Sequence, residues 1–121
     1  MITKAAGGFT VALELQAPSA QADSAVIGRR TLDKQFHGDL QAVGCGEMLS
    51  VMTDVDGSMA YVALEKVSGM LAGRHGGFVL QHASQMVRGQ PLQSIRVVPD
   101  SSTGELLGLE GEMRIDIKNG E

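Results

Sequence analysis

Four polar side chains lie within apolar segments of the sequence, where acid–base or ligand-binding groups act most strongly: His82, Glu65, Glu47 and Tyr61. His82 alternates with apolar residues in a strand-like segment, so its ring is predicted to point to the apolar side. A buried imidazole can serve as an acid, a base or a ligand. The interpretation that we favour from sequence is a core histidine whose ring nitrogens are hydrogen-bonded to backbone or to a neighbouring side chain.

The two glutamates can each face either side of a strand. Glu65 shares one face with Tyr61, whereas Val62 and Leu64 share the other, and the pattern leaves open which face points inward. If Glu65 points inward, loss of hydration would raise its pKa and make it a candidate general base. If it points outward, it is a solvated charge. Glu47 has the same ambiguity, because both faces of its segment are apolar.

A metal site is not predicted. It would require three or four scattered side chains to converge, drawn from His37, His75, His82, Cys45, Glu47 and Glu65. No Cys-x-x-Cys or His-x-x-x-His spacing groups any two of them. Cys45 lies between two glycines, and a free cysteine is more often a small hydrophobic residue than a nucleophile. We therefore expect no metal and no cofactor, and we assign no catalytic residue.

The elements that position these side chains are predicted to be β-strands. A chain of 121 residues is the size of one domain, which we take as residues 1–121. Sixteen residues are glycine, about twice the usual share of ~7%. Glycine costs about 1 kcal/mol relative to alanine inside a helix, whereas tight hairpins need residues that tolerate positive φ. The composition indicates an all-β fold with short turns.

The first half of the chain contains one clear strand and two irregular stretches. Residues 9–15 alternate apolar and polar side chains with a period of two. Residues 16–26 are rich in Ala, Ser and Gln and contain a proline, which indicates a loop. Residues 26–42 alternate more loosely and are interpreted as one long, bent strand. Glycines at 44 and 46 then predict a break, bulge or barrel corner.

The second half has the turn signals of successive hairpins. The dipeptide at 56–57 is Asp-Gly, which favours a two-residue hairpin loop pairing residues 47–53 with 59–71. Further strands are predicted at 78–87, 92–98 and 106–117. Asn-Gly at 119–120 is another hairpin signal, with only one residue after it. We expect that a final strand is missing and that the open sheet edge favours oligomerisation.

Charge and composition exclude two partner classes. The net charge is -4 and the aromatic residues are three Phe, one Tyr and no Trp, so the basic stripe and stacking platform of nucleic-acid binding are lacking. No segment reaches the ~20 continuous apolar residues of a membrane helix. The lone cysteine and the lack of an apolar stretch near the N-terminus predict a cytoplasmic protein.

Five segments taken together resemble a bacterial family called domain of unknown function 3224. They are residues 32–40 (LDKQFHGDL), 46–49 (GEML), 61–65 (YVALE), 78–82 (FVLQH) and 97–106 (VVPDSSTGEL). The resemblance implies an eight-stranded antiparallel β-barrel, similar to plant allene oxide cyclase and to calycins. It implies seven strands if the C-terminal strand is missing. The family has no assigned function, and the lumen of the plant enzyme holds an apolar small molecule.

The function expected from these observations is binding of a small apolar molecule in a barrel lumen rich in methionine, with His82, Glu65, Glu47 and Tyr61 orienting the ligand. One alternative is an isomerase or cyclase that acts on an apolar substrate through the same residues. The other is a structural module with a packed lumen and no ligand. Strands that are apolar on both faces predict a homodimer or higher homo-oligomer.

Overall fold

The computed structural model describes residues 5–21 and 26–115 of the chain, and within them the secondary structure is β-strand and turn without a helix. The strands are β1 (Gly7–Gln21), β2 (Val26–Gly38), β3 (Leu40–Met52), β4 (Met59–Leu71), β5 (Arg74–Val87), β6 (Gln90–Val97) and β7 (Thr103–Gly104). All pairs are antiparallel, and the first six strands are hydrogen-bonded in chain order. The two-residue β7 pairs with the start of β5.

Two tight turns set the register of the central hairpins. Ala72 and Gly73 join β4 to β5 with φ of 49° and 84°, and Arg88 and Gly89 join β5 to β6 with φ of 46° and 88°. Positive φ at both central residues is the mark of a type I′ turn, whose twist matches that of the flanking strands. The non-glycine residues adopt this conformation because the ladders on either side hold the hairpin ends in place.

The sheet has two unlike faces. We call the face that carries the buried core the inner face, and the opposite one the outer face. The inner core consists of Phe36, Val67, Phe78, Leu80, Ile95 and Leu106. Residues 105–115 fold back beneath this face and contribute Leu106, Leu109, Met113 and Ile115 to the core. The Met113 amide donates to the Ile95 carbonyl at 2.8 Å, which fixes this segment along β6.

Hydrogen bonds do not close the sheet within the described residues. Strands β1 and β6 lie at opposite ends of the strand order and share no ladder. On the inner side of β1, Val11 and Leu13 are 47% and 46% exposed, so this end of the inner face is not covered by a neighbouring strand. The all-β antiparallel fold is confirmed with a sheet of six to seven strands, whereas the expected closure into an eight- or seven-stranded barrel is not confirmed, because no hydrogen-bonded ladder closes the sheet among the described residues.

Three sequence-based boundaries in the first half were wrong. Of the loop expected over 16–26, residues 16–21 continue strand β1, residue 26 begins β2, and residues 22–25 lie outside the described residues. The long strand expected over 26–42 is two strands, because Gly38 adopts a φ of 103° and reverses the chain. Asp39 supports this reversal, since its carboxylate accepts a hydrogen bond from the Ala6 amide at 2.8 Å. Strand β3 then runs unbroken through the two glycines at which a break was predicted.

The predictions for the second half were more accurate. The pairing of β3 with β4 around the Asp56-Gly57 turn is confirmed. A full strand over 106–117 was wrong: residues 105–108 form a turn, and Glu112 makes a single bridge with Arg96. The Asn-Gly signal at 119–120 lies outside the described residues. No helix in the described part of the chain has the length and hydropathy needed to cross a bilayer.

Candidate functional site

Three charged or titratable side chains meet within the inner core. Lys34 of β2 donates through Nζ to Oε1 of Glu65 on β4 at 3.0 Å. His82 of β5 places Nε2 2.8 Å from the same oxygen. The side chains of Lys34, Glu65 and His82 are 4%, 0% and 4% exposed. We call these three residues the Lys–Glu–His cluster, and it is the most polar feature of an otherwise apolar core.

Two glycines of β3 make the cluster possible. Lys34 and Glu65 lie on strands separated by β3, so their backbones are about 10 Å apart at the usual ~4.8 Å strand spacing. The ladder places Gly44 opposite Lys34 and Gly46 opposite Glu65 on the inner face. Since neither glycine has a side chain, Lys34 can extend across β3. A Cβ at Gly44 would overlap Oε2 of Glu65, so Gly44 provides room for the carboxylate, whereas a Cβ at Gly46 would overlap the backbone carbonyl of Leu64.

Aromatic rings surround the buried ammonium group. The Nζ of Lys34 lies 4.9 Å from the ring centroid of Phe9 and 5.5 Å from that of Phe36. The faces of aromatic rings carry partial negative charge and attract a cation, most strongly where water is excluded. Phe9 and Phe36 therefore compensate in part for the hydration that Lys34 loses on burial.

Opposing effects act on the carboxyl group of Glu65. Burial raises its pKa, but the hydrogen bond from His82 and the charge and hydrogen bond of Lys34 together outweigh burial and hold the pKa below its ordinary value of 4.5. The sequence-based expectation of a raised pKa for an inward Glu65 is therefore wrong, because it left the hydrogen bond from His82 and the ammonium group of Lys34 out of account. Glu65 is a carboxylate at neutral pH.

The ionised carboxylate fixes the tautomer of His82. A carboxylate can only accept hydrogen bonds, so Nε2 of His82 must carry the proton and donate it to Glu65. Nδ1 of His82 makes no hydrogen bond with any described residue, and it is not among the fully buried atoms without a partner. Oε2 of Glu65 is fully buried and lacks a hydrogen-bond partner in this part of the chain. Nδ1 is thus the atom of the cluster that can accept a hydrogen bond from outside the core.

Beyond His82 the inner face becomes half-buried. The ladder places Tyr61 opposite Ser84 on the next row of the sheet. We call this region the open half of the inner face, and its half-buried residues are Met48, Ser50, Met59, Tyr61, Ser84 and Met86. Methionine side chains adapt to differently shaped partners. The cluster thus borders a half-buried region that combines apolar and hydroxyl side chains.

The structure separates the four sequence-based candidates. Glu65 and His82 lie together in the buried core, and Tyr61 lies one row away on the same face. Glu47 is on the outer face with 62% of its side chain exposed, and it accepts a hydrogen bond from Arg29 at 2.9 Å. The expected position of Glu47 in the lumen is thereby corrected. Glu47 pairs with Leu64 in the ladder, and both side chains lie on the outer face, away from the cluster.

The remaining titratable residues do not gather into a site. No group of three or more metal-ligating side chains occurs among the described residues. A surface hollow of about 450 Å³ lies at the β2–β3 turn beside His37, and a second of about 200 Å³ lies at the β3–β4 turn. Neither hollow is lined by a member of the Lys–Glu–His cluster.

Comparison with known proteins places the chain in a family. The family model of a protein of unknown function, DUF3224, matches residues 5–121. The chain belongs to the DUF3224 family. A crystal structure of a DUF3224 protein of unknown function from Shewanella oneidensis MR-1 is 47% identical, with a TM-score of 0.91 over 97% of this chain and 90% of that one. No curated protein matches the sequence.

DUF3224 membership confirms the resemblance inferred from the five sequence segments and adds no activity. The residue that sequence reasoning missed is Lys34, although a signal was present: it shares strand parity with Leu32 and Phe36, both of which are buried. A lysine on the apolar parity of a strand needs a buried partner. Searching for that partner among inward carboxylates would have connected Lys34 with Glu65.

Proposed function

We propose that this DUF3224 protein binds a small, mainly apolar molecule on the open half of its inner face, with Nδ1 of His82 as the acceptor of a hydrogen bond from the ligand. The observation that carries the proposal is that Glu65 holds Nε2 of His82, whereas Nδ1 has no partner among the described residues and is not one of the fully buried unpaired atoms.

The surroundings of His82 suit such a ligand. Half-buried methionines at 48, 59 and 86 supply apolar contact area, and Tyr61 lies in the row of the sheet next to that of His82. Binding sites for small molecules commonly combine an apolar lining with a few well-placed polar groups. Arg30 lies on the inner face in the same row of the sheet as His82, with Met48 and Ala63 between them. Its guanidinium group donates a hydrogen bond to the hydroxyl of Ser50 at 3.2 Å. An acidic group on the ligand would find its counter-charge there.

Two substitutions of His82 test the role of Nδ1. In His82→Gln the side-chain amide can still donate to Glu65 in place of Nε2, but the acceptor at Nδ1 is lost. In His82→Asn the amide reproduces Nδ1 and the donor to Glu65 is lost. We expect His82→Gln to fold normally and bind weakly, and His82→Asn to lose stability because the carboxylate loses a donor.

The assay combines native mass spectrometry of the gently purified chain with titration of two probes, decanoate and 1-anilinonaphthalene-8-sulfonate. His75→Gln is the matched control, since His75 is exposed and outside the cluster. A co-purified ligand, or probe binding that weakens at least about 10-fold in His82→Gln alone, supports the proposal. Equal affinity in wild type and His82→Gln, or no binding of either probe with a clean apo mass, favours a structural module with a packed interior instead.

A second candidate function is an isomerase or cyclase. The observation that favours it is the geometry of Glu65 and His82: a carboxylate that orients an imidazole and leaves its other nitrogen free is the arrangement of a general base. In deuterium oxide such an enzyme would exchange an acidic C–H of a bound carbonyl compound, which NMR would detect. His82→Gln would then bind the compound without exchange, whereas a simple binder shows no exchange in either form.

A further inference from the structure

The outer face of the sheet carries an apolar patch that no described element covers. Its members are Ile27, Val43, Leu49, Val62 and Leu64, which are 37%, 56%, 39%, 52% and 57% exposed. The ladder places Leu49 directly opposite Val62, with Leu64 and Ile27 in the adjacent rows on either side, whereas Val43 lies three rows from Leu49 at the edge of the patch. Contiguous exposed apolar surface on a soluble domain commonly marks a binding surface. We call these five residues the outer patch.

Charged residues of both signs border the outer patch. On β2, Arg29 is basic and pairs with Glu47 of β3 at 2.9 Å, and Asp33 is acidic; Lys66 on β4 is basic. Asp33 and Lys66 lie in one row of the sheet, separated by Cys45. Within residues 5–21 and 26–115, neither Asp33 nor Lys66 takes part in an ion pair. Both charges are therefore available to a partner.

We propose that a second copy of this chain covers the outer patch, with the two sheets face to face around a two-fold axis that runs parallel to the strands between β3 and β4. This axis places β3 of each copy over β4 of the other. Leu49 then packs against Val62 of the second copy, and Asp33 approaches its Lys66. Because the axis is two-fold, each contact between the two copies occurs twice. The outer patch and its neighbouring charges therefore bind the same surface of the second copy.

The outer face is large enough for a stable dimer. Six strands about 4.8 Å apart span roughly 29 Å, and 13-residue strands such as β3 and β4 are about 44 Å long at ~3.4 Å per residue. The face therefore measures roughly 1,200 Å² in projection. A second sheet packed about 10 Å away over two-thirds of it would cover about 800 Å² per partner, the size of a specific interface.

The first experiment measures molar mass by light scattering during size-exclusion chromatography across a range of concentrations. We expect twice the 12.7 kDa of one chain. Leu49→Lys should dissociate the dimer, raising its dissociation constant at least about 30-fold, because the axis sets Leu49 against Val62 of the second copy and leaves the new charge unpaired in the interface. Leu107→Lys is the matched control, because Leu107 is 80% exposed in a turn away from the outer patch, and it should remain dimeric. A monomeric wild type at all concentrations overturns the proposal and leaves the face to another occupant.

A charge swap tests the orientation of the two copies. Asp33→Lys and Lys66→Asp should each weaken the dimer by placing like charges together, and the double variant should restore it. Cys45 lies between these two residues and is exposed in one chain, so its reaction with a thiol reagent should slow as the dimer forms. Failure of the double variant to restore the dimer, or a Cys45 reactivity independent of concentration, would contradict this arrangement. Ligand binding on the inner face does not depend on either result.

Discussion

Replacing Lys34 by methionine is the sharpest perturbation of the Lys–Glu–His cluster. Methionine keeps the unbranched stem that crosses Gly44 but removes the ammonium group that donates to Glu65 at 3.0 Å. The carboxylate of Glu65, whose side chain is fully buried, would retain a single donor, His82. An uncompensated charge would then remain in the core.

The expected loss of stability follows from the fate of that charge. Removing one partner of a buried ion pair costs about 3–5 kcal/mol. A domain of this size is stable by roughly 5–15 kcal/mol, so Lys34→Met should lose a large part of the free energy of unfolding. At roughly 4 °C per kcal/mol for a chain of this length, the melting temperature should fall by about 12–20 °C.

Urea denaturation at neutral pH measures this loss, and the double variant Lys34→Met/Glu65→Leu completes a double-mutant cycle. Removing both charges should cost much less than the sum of the two single substitutions, with a coupling of at least about 2 kcal/mol. The reasoning is refuted if Lys34→Met costs less than about 1 kcal/mol, or if the two single effects add within about 0.5 kcal/mol.

Three further predictions concern other parts of the structure. Gly44→Ala should destabilise by about 1–3 kcal/mol through overlap with Glu65, whereas Gly8→Ala, which meets no atom within 4 Å, should be neutral in the same urea titration. The pKa of Glu65 is lowered in the folded chain, so its ionised form stabilises the fold. This contribution is complete above about the ordinary pKa of 4.5 and is lost as the pH falls through the folded-state pKa. Thermal melts should show this loss of stability at acid pH in the wild type and a weaker one in Glu65→Gln. Ser102→Ala should cost about 1–3 kcal/mol by thermal melt, since its buried hydroxyl accepts from the amides of Gly108 and Leu109.

The strands were predictable where side chains alternate and turns carry strong signals. Residues 9–15 show strict alternation, and the Asp56-Gly57 signal correctly predicted that β3 pairs with β4, although residues 53–58 form a six-residue connection instead of a two-residue loop. The loop predicted at residues 16–21 failed because local composition favours a loop, whereas pairing with β2 extends the strand. Closure of the sheet depends on contacts between distant strands, about which local patterns carry little information.

The site was predictable in part for the same physical reasons. His82 was identified because it is a single histidine among the apolar residues of one strand face. Glu65 and Glu47 could not be assigned to a face, since each lies in a strand with apolar residues on both sides. The register decides this question: Glu65 aligns with Gly46 and Leu80 on the inner face, and Glu47 aligns with Leu64 on the outer one. Register is a property of strand pairs and is not encoded in either strand alone.

The cluster is more costly than a structural role requires. Well-packed apolar residues are often as stabilising as a buried ion pair, or more so, and the cluster needs glycines at 44 and 46, which weaken a strand. It also leaves Oε2 of Glu65 without a hydrogen bond in the described part of the chain. All three costs occur at the cluster, which borders the half-buried region that contains Tyr61 and the methionines. Because a packed core could avoid all three, their coincidence favours a role for His82 and Glu65 in binding or proton transfer over a role in stability alone.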